Sequence, residues 1–372
     1  MKIKSADIIL RNTIQNHSIK NPSIQNHSTK NHSLKDAAFP GSESVQAAEQ
    51  QTTEKIRFFN DPLELLGYLN LSPEQVGFSA QASHLFPFKV PFSYVQNIEP
   101  GKPNDPLLLQ ILPVNDELQK DSRFTCDPLE EHNNVCQPGM LKKYSGRVLL
   151  LTTPGCAINC RYCFRRHYPY ADKGHIWSQI SKNLDLIAQD PSISEVILSG
   201  GDPLSLGDQK LALLLSKLET IPQLKRIRIH TRYPVAAPDR ITPGLLRLIR
   251  DSTLKMILVL HINHSRELGT PAQKAVSALG QTGIRLYNQS VLLKGVNDSL
   301  EVLTHLSETL FDLGIQPYYL HLLDKISGTV HFDLDEQQAL QLYRQLRATL
   351  PGYMVPNLVR EIPGEKNKIP FV

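Results

Sequence analysis

Residues 147–166 read RVLLLTTPGCAINCRYCFRR, an apolar and β-branched run that passes directly into three cysteines spaced C-x3-C-x2-C. The first half predicts a buried strand and the second a loop at its C-terminal end. Five further apolar runs follow, at residues 195–199, 226–231, 256–261, 284–291 and 316–322. Amphipathic stretches such as KLALLLSKLETI, PAQKAVSALGQTG and DEQQALQLYRQLRATL fall between or after them. Strands that alternate with helices need crossover connections, so this order predicts a parallel β/α structure, and six units suggest a partial barrel as readily as an open sheet. In such an architecture functional residues gather at the C-terminal strand ends. The polar signatures sit there: Cys156, Cys160 and Cys163 after the first run, Gly200-Gly201-Asp202 after the second, His230-Thr231-Arg232 at the third and His261 at the fourth.

On the N-terminal side, residues 55–142 carry helical patterns broken by many prolines, including LELLGYLN and LLLQILPV, and are expected to form a mostly helical supporting subdomain. Before them, TIQNHSIKNP at 13–22 and SIQNHSTKNH at 23–32 form a near-repeat. This stretch has too little apolar surface to offset the entropy of ordering it, so residues 1–54 are expected to be a disordered tail. His17, His27 and His32 are read as part of that solvated tail rather than as metal ligands.

The whole chain has 372 residues, 40 Lys+Arg against 36 Asp+Glu, a formal net charge of +4, and 41% hydrophobic and 20% charged residues. That is an ordinary globular composition, which excludes a fibrous or wholly disordered chain. It also lacks the concentrated basic charge that drives phosphate-backbone binding, so no nucleic-acid partner is expected. No run approaches the roughly 18 apolar residues of a membrane span, and the start of the chain lacks a secretory apolar core. A cytoplasmic protein without a membrane partner is the expectation. Five cysteines, an odd number, argue for reduced thiols, some of them metal ligands.

Three thiolates within eight residues can close around one metal centre. In a four-iron cluster they would hold three irons and leave the fourth open to a ligand. Zinc would need a fourth Cys or His, which Cys126, Cys136 or a histidine could supply, and three plain buried thiols remain the third alternative.

The loop, with Tyr162 just before the third cysteine, resembles that of the radical S-adenosylmethionine enzymes. LSGGDPL at 198–204, RIHTRYPV at 228–235, HINH at 261–264, NQSVLLKGVND at 288–298 and PYYLHLLDKISGTVHF at 317–332 further resemble the lysine 2,3-aminomutase family, in the branch that makes β-lysine for modifying elongation factor P. The resemblance runs from about residue 61 to 372. It implies a [4Fe-4S] cluster on Cys156, Cys160 and Cys163, S-adenosylmethionine, and pyridoxal 5′-phosphate.

By the same resemblance Gly200, Gly201, Asp202, His261 and Gln289 would contact S-adenosylmethionine. Lys368 would anchor pyridoxal phosphate and act in catalysis, although Glu365-Lys366-Asn367 replaces most of the family's glycine-rich run. Tyr144 and Arg147 would bind the phosphate, with Lys143 where the family has a further arginine. Arg165 would take the substrate carboxylate. Asp324 and Glu361, 44 and 7 residues ahead of Lys368, would hold the ε-ammonium.

His321 stands where free-lysine enzymes have Tyr, and only four residues follow Lys368; both features fit the protein-modification branch. The expected protein is therefore an isomerase that turns L-lysine into β-lysine. It would need an electron donor such as flavodoxin or ferredoxin, and would be linked to elongation factor P and its lysyl ligase. Its fold would be a radical S-adenosylmethionine partial (β/α)6 barrel over residues 143–355, followed by a segment at 356–372 that carries Lys368. An aminomutase for another amino acid, such as glutamate, and a noncatalytic zinc-stabilised binding module are the competing readings.

Overall fold

The computed structural model describes residues 56–169 and 176–371. The tail expected over residues 1–54 lies outside them. The described chain begins with a two-stranded ribbon, β1 (Phe58–Phe59) against β2 (Val90–Pro91). Four short helices accompany it: α1 (Pro62–Tyr68), α2 (Ala80–Leu85), α3 (Phe92–Val95) and α4 (Pro106–Leu109). Proline and capping residues set where they start. Pro62 and Pro106 open α1 and α4, and Asp61 and Asp105 accept the otherwise unpaired amides of the first turn.

The remaining strands form one ten-stranded sheet in the order β12-β11-β10-β9-β8-β7-β6-β5-β4-β3. β3 (Val135–Gln137) and β4 (Met140–Leu141) are antiparallel additions to β5 (Arg147–Thr153). They come from residues that the sequence reading groups with the N-terminal subdomain. From β5 the chain runs through β6 (Glu195–Gly200), β7 (Arg226–Thr231), β8 (Lys255–His261), β9 (Arg285–Val291) and β10 (Gln316–His321), all parallel. These are the six runs read from the sequence, displaced by a residue or two at their ends. A seventh parallel strand, β11 (Asn357–Arg360), and the antiparallel β12 (Ile369–Pro370) complete the sheet.

The crossovers are α5 (Ile176–Gln189), α6 (Asp208–Glu219), α7 (Pro243–Asp251), α8 (Thr270–Gly280), α9 (Leu300–Asp312) and α10 (Glu336–Thr349). Each buries an apolar stripe, for example Leu211, Leu214, Leu215 and Leu218 on α6. β6 is buried at every position, as expected of a strand covered on both faces, whereas β7 alternates. Ile227, Ile229 and Thr231 of β7 are buried, and Arg226, Arg228 and His230 project to the other face.

The strand order is linear, so the backbone does not close the barrel. The two ends of its parallel run, β5 and β11, nevertheless meet. Lys143, between β4 and β5, places Nζ 2.9 Å from Glu361 Oε1, just beyond β11. The sheet therefore curls far enough for a side-chain ion pair to bridge its open seam.

Candidate active site

The cysteine loop leaves the C-terminal end of β5 and is pinned to the N-terminal segment along its length. Asn159 N donates to Lys89 O at 3.0 Å, Arg161 N to Gln110 O at 2.8 Å, and Lys89 Nζ to Cys156 O at 3.2 Å. Arg161, fully buried, grips Glu117 through Nε and Nη2 at 2.7 Å each, and Arg166 Nη2 reaches the same carboxylate at 2.6 Å. The remaining Arg161 donors cap Phe86 O and Ala82 O. Two cations thus clamp one internal anion directly beneath the cysteines.

Cys156, Cys160 and Cys163 are free and half-buried, while Cys126 and Cys136 are exposed. Burial, followed by the charge of Cys160, pushes the Cys163 thiol up to about 11. Burial also raises Cys156 well above the usual range, with Asp202, Cys163 and Cys160 adding to the effect. Cys156 and Cys163 therefore both feel the charge of Cys160. Among the described residues no group of three His, Cys, Asp or Glu side chains already stands in ligand geometry. The donor chemistry, three soft ligands on one loop whose mutual repulsion a cationic centre would relieve, fits an iron–sulfur cluster. Arg232, at the end of β7, lies beside the loop. Its Nη1 is 2.7 Å from both Cys160 Sγ and Tyr162 Oη, and its Nη2 pairs with Glu267 Oε2 at 2.7 Å.

Gly200 and Gly201 stand at the end of β6 for a reason visible in the backbone. Gly201 N donates to Thr153 O, and Asp202 N to Gly155 O, both at 2.7 Å. A Cβ on Gly201 would lie 2.2 Å from Gly155 O, and Gly200, at φ +119°, would bring one within 2.6 Å of Thr153 O. Side chains at either position would drive the cysteine loop away. Asp202 is buried and ties strand ends together, accepting from Thr231 Oγ1 at 2.8 Å and Arg232 N at 2.7 Å. Burial outweighs these bonds and raises its carboxyl to about 6.

Farther around the lumen, Gln289 Nε2 donates to His261 Nε2 at 3.0 Å, across the paired ends of β9 and β8. Burial pushes His261 down to about 3, so the ring is a neutral acceptor. His230 stacks edge-on to it with centroids 5.9 Å apart. His230 Nε2 and His321 Nε2 are buried without a hydrogen-bond partner.

The charged residues form a second cluster, near the seam. Glu361 binds Lys143 and Lys368 together, and Tyr144 is hydrogen-bonded to it. Burial opposes the ionised Glu361, yet Lys368 and Lys143 hold its carboxyl well below the usual range. Asp324, three residues past β10, behaves in the opposite way: burial and then the charge of Glu361 raise it to about 7. Arg147 lies over the Tyr144 ring at 4.7 Å, and Lys368 Nζ is 6.0 Å from the Tyr319 centroid. A cavity of about 550 Å3 opens onto Asp324 and Glu361, with Thr125, Asp127, Glu130 and Arg360 also in its walls. That is ample for an amino acid.

Arg165 is buried between the two clusters. Its Nε and Nη2 meet Glu131 Oε2 and Oε1 at 2.8 Å each, and its Nη1 reaches Ser199 Oγ at 3.0 Å and Gly200 O at 3.3 Å. Glu131, Glu117 and Arg232 were not given roles from sequence. Arg232 falls inside the RIHTRYPV stretch, but Glu131 follows an identical residue and nothing local sets it apart.

Comparison with known proteins adds kinship to this geometry. The sequence model of the Radical SAM superfamily matches residues 150–306. The chain is 45% identical over 324 residues to L-lysine 2,3-aminomutase of Escherichia coli K12, covering 87% of this chain and 94% of that one. It is 46% identical over 309 residues to L-lysine 2,3-aminomutase of Haemophilus influenzae, covering 83% and 91%. Against L-lysine 2,3-aminomutase of Clostridium subterminale the identity is 35% over 310 residues, covering 83% and 74%.

Proposed function

The chain belongs to the lysine 2,3-aminomutase family of radical S-adenosylmethionine enzymes, and from that premise we propose that it isomerises L-lysine to β-lysine. The observation that carries the reading is the seam cluster. Lys368, Glu361, Lys143 and Tyr144 meet at one end of the lumen, and Arg165 joins that cluster to the cysteine loop through Glu131. When bound, a four-iron cluster, S-adenosylmethionine and pyridoxal phosphate would supply the electron, the hydrogen-abstracting radical and the π-system that amino-group migration needs.

Cys156, Cys160 and Cys163 would hold three irons. The Gly200–Gly201 backbone fixes where that loop stands, and Asp202 braces it through Thr231 and Arg232. His261 and Gln289, paired with each other, would face S-adenosylmethionine from the neighbouring strand ends. Lys368 would anchor the aldehyde, and Lys143, Tyr144 and Arg147 would bind the phosphate, Arg147 with a fork of donors.

Arg165 would take the α-carboxylate, while Asp324 and Glu361 would hold the ε-ammonium. To do so Glu361 exchanges its bond to Lys368 for one to the substrate, and Asp324 gives up its proton as the cation arrives. Two acids against one arginine suit lysine better than a dicarboxylate, which needs the reverse balance. Arg165 is buried and the other members of the set are half-buried, so a bound substrate would displace water from the reacting centre.

We assign residues 143–355 to the catalytic barrel, and residues 356–372 to the segment bearing the anchor lysine, whose strand β11 extends the barrel's sheet. The product is proposed to serve elongation factor P through a separate ligase, in the cytoplasm, with a flavodoxin or ferredoxin as reductant. Among the described residues no helix is long and apolar enough to cross a membrane.

The decisive experiment is an anaerobic incubation of reconstituted, reduced protein with S-adenosylmethionine, pyridoxal phosphate and L-lysine, read by mass spectrometry. β-Lysine is the expected product. 5′-Deoxyadenosine without β-lysine would keep the radical chemistry and reject the substrate.

A further inference from the structure

We propose that Glu131 is a positioning residue that builds the carboxylate seat, by holding Arg165 in a fixed orientation and at a fixed distance from Lys143. This rests on the reading of Arg165 as the partner of the substrate carboxylate. Glu131 is almost fully buried. One carboxylate there touches a cation assigned to each of the site's two anions: Arg165 through two 2.8 Å bonds, and Lys143 with Nζ 3.4 Å from Oε1. A planar guanidinium gripped along its Nε–Nη2 edge cannot rotate, so the direction of its other edge is set by Glu131. Ser199 Oγ and Gly200 O complete the cradle from β6.

The backbone around Glu131 is shaped to deliver that side chain. Glu130 adopts φ +46°, a left-handed conformation that a non-glycine residue enters at a cost. The turn is held against that strain by Asp127. Its Oδ1 accepts from Glu131 N at 3.0 Å, its Oδ2 accepts from His132 N at 3.3 Å, and its Oδ2 also lies 2.6 Å from His132 Nδ1. The reversal sends Glu130 to the wall of the cavity and Glu131 to the buried guanidinium. A residue present only to neutralise Arg165 would not need this construction.

The test compares L-lysine with L-lysinamide, which keeps both amines and lacks the carboxylate. Equilibrium binding to reconstituted but unreduced holoenzyme is measured by calorimetry, and KM and kcat are measured in the reduced enzyme. Wild type is expected to prefer lysine by about tenfold or more, the discrimination expected of one charge-assisted pair. Glu131→Gln should bring the two ligands to within about threefold, by weakening lysine and leaving lysinamide unchanged. KM for lysine should rise more than kcat falls. Glu131→Asp keeps the charge with a shorter reach and should lie between the two; it also carries the comparison if the glutamine variant does not fold.

A purely structural role would weaken both ligands equally and leave the ratio intact, which would overturn the proposal. Tighter lysine binding by Glu131→Gln would overturn it too, because Glu131 would then be a competitor for the seat. If wild type makes β-lysine but does not distinguish lysine from its amide, Arg165 is not the carboxylate partner and the proposal falls with that assignment. If wild type discriminates and only the variant's ratio stays put, the error lies with Glu131 alone.

Discussion

Glu117 and Glu361 each face two cations, yet they have opposite surroundings. Glu117 and its partners Arg161 and Arg166 have side chains 0%, 0% and 1% exposed, and backbone carbonyls take up further guanidinium donors. Glu361, Lys143 and Lys368 are 14%, 14% and 21% exposed, and Glu361 lines a cavity together with Asp324, whose carboxyl is raised to about 7. The first set has nowhere to exchange partners and serves as an anchor for the cysteine loop. The second can trade each of its bonds for one to a ligand. The same ion-pair chemistry becomes scaffold or site according to whether its partners can be replaced.

That contrast can be broken most directly at the anchor. Glu117→Gln leaves two buried guanidiniums without a counter-charge and should cost about 3–5 kcal/mol in denaturant unfolding of the apoprotein. Glu361→Gln, in the exchangeable cluster, should cost about 1–2 kcal/mol and should raise KM for lysine instead. Equal stability losses would erase the distinction. Loop placement gives the next largest effect. Gly201→Ala puts a methyl 2.2 Å from Gly155 O, and iron and acid-labile sulfide per chain should fall severalfold after identical reconstitution.

Lys368→Ala sharpens the other side. Turnover should fall by about a hundredfold or more and the absorbance of bound pyridoxal phosphate should disappear, with iron content unchanged.

The smallest expected effect is a pH slope. Asp324 is raised to about 7 in the folded protein by burial and then by Glu361, while Lys368 and Lys143 oppose the shift. The unfolded chain titrates near the ordinary carboxylate value of about 4. The folded state binds that proton more tightly, so the stability Asp324 contributes is full below about pH 4 and is lost as pH rises through about 7. Glu361, depressed by Lys368 and Lys143, has the reverse sign: its contribution is present above its ordinary value and lost as pH falls. The gain in melting temperature of Asp324→Asn over wild type should therefore grow between about pH 4 and 7 and stay level above. Wild type is expected to show a fall in lysine KM as pH rises through neutrality, and the same variant should abolish it.

Much of the barrel was legible because a strand and its crossover helix write their periods locally. The six apolar runs became β5 to β10. β11 escaped because NLVR is four residues long and follows a proline, so it reads as loop until β10 is there to pair with it. The cysteines could be placed by their spacing, Lys368 and Glu361 only through the family resemblance, and the structure brings Lys368 and Glu361 into contact. The resemblance gives Gly200 and Gly201 a contact with S-adenosylmethionine, whereas the backbone they meet in the fold is that of the cysteine loop and the strand before it. Nothing in the sequence announces that Glu131 meets Arg165, or that Glu117 serves two arginines. Those pairings join residues 34 to 49 positions apart, and an isolated acid carries no local mark of its partner.

The seam between β5 and β11 has a kinetic consequence. A barrel closed by a hydrogen-bonded ladder opens only when a whole strand lets go, a cooperative event. Here Lys143 and Glu361, a side-chain pair, bridge the gap, and that contact can part and reseal without unpairing a strand. Exchange of that contact would run at the pace of side-chain rearrangement rather than of strand unpairing, and its low exposure would keep it largely insensitive to salt.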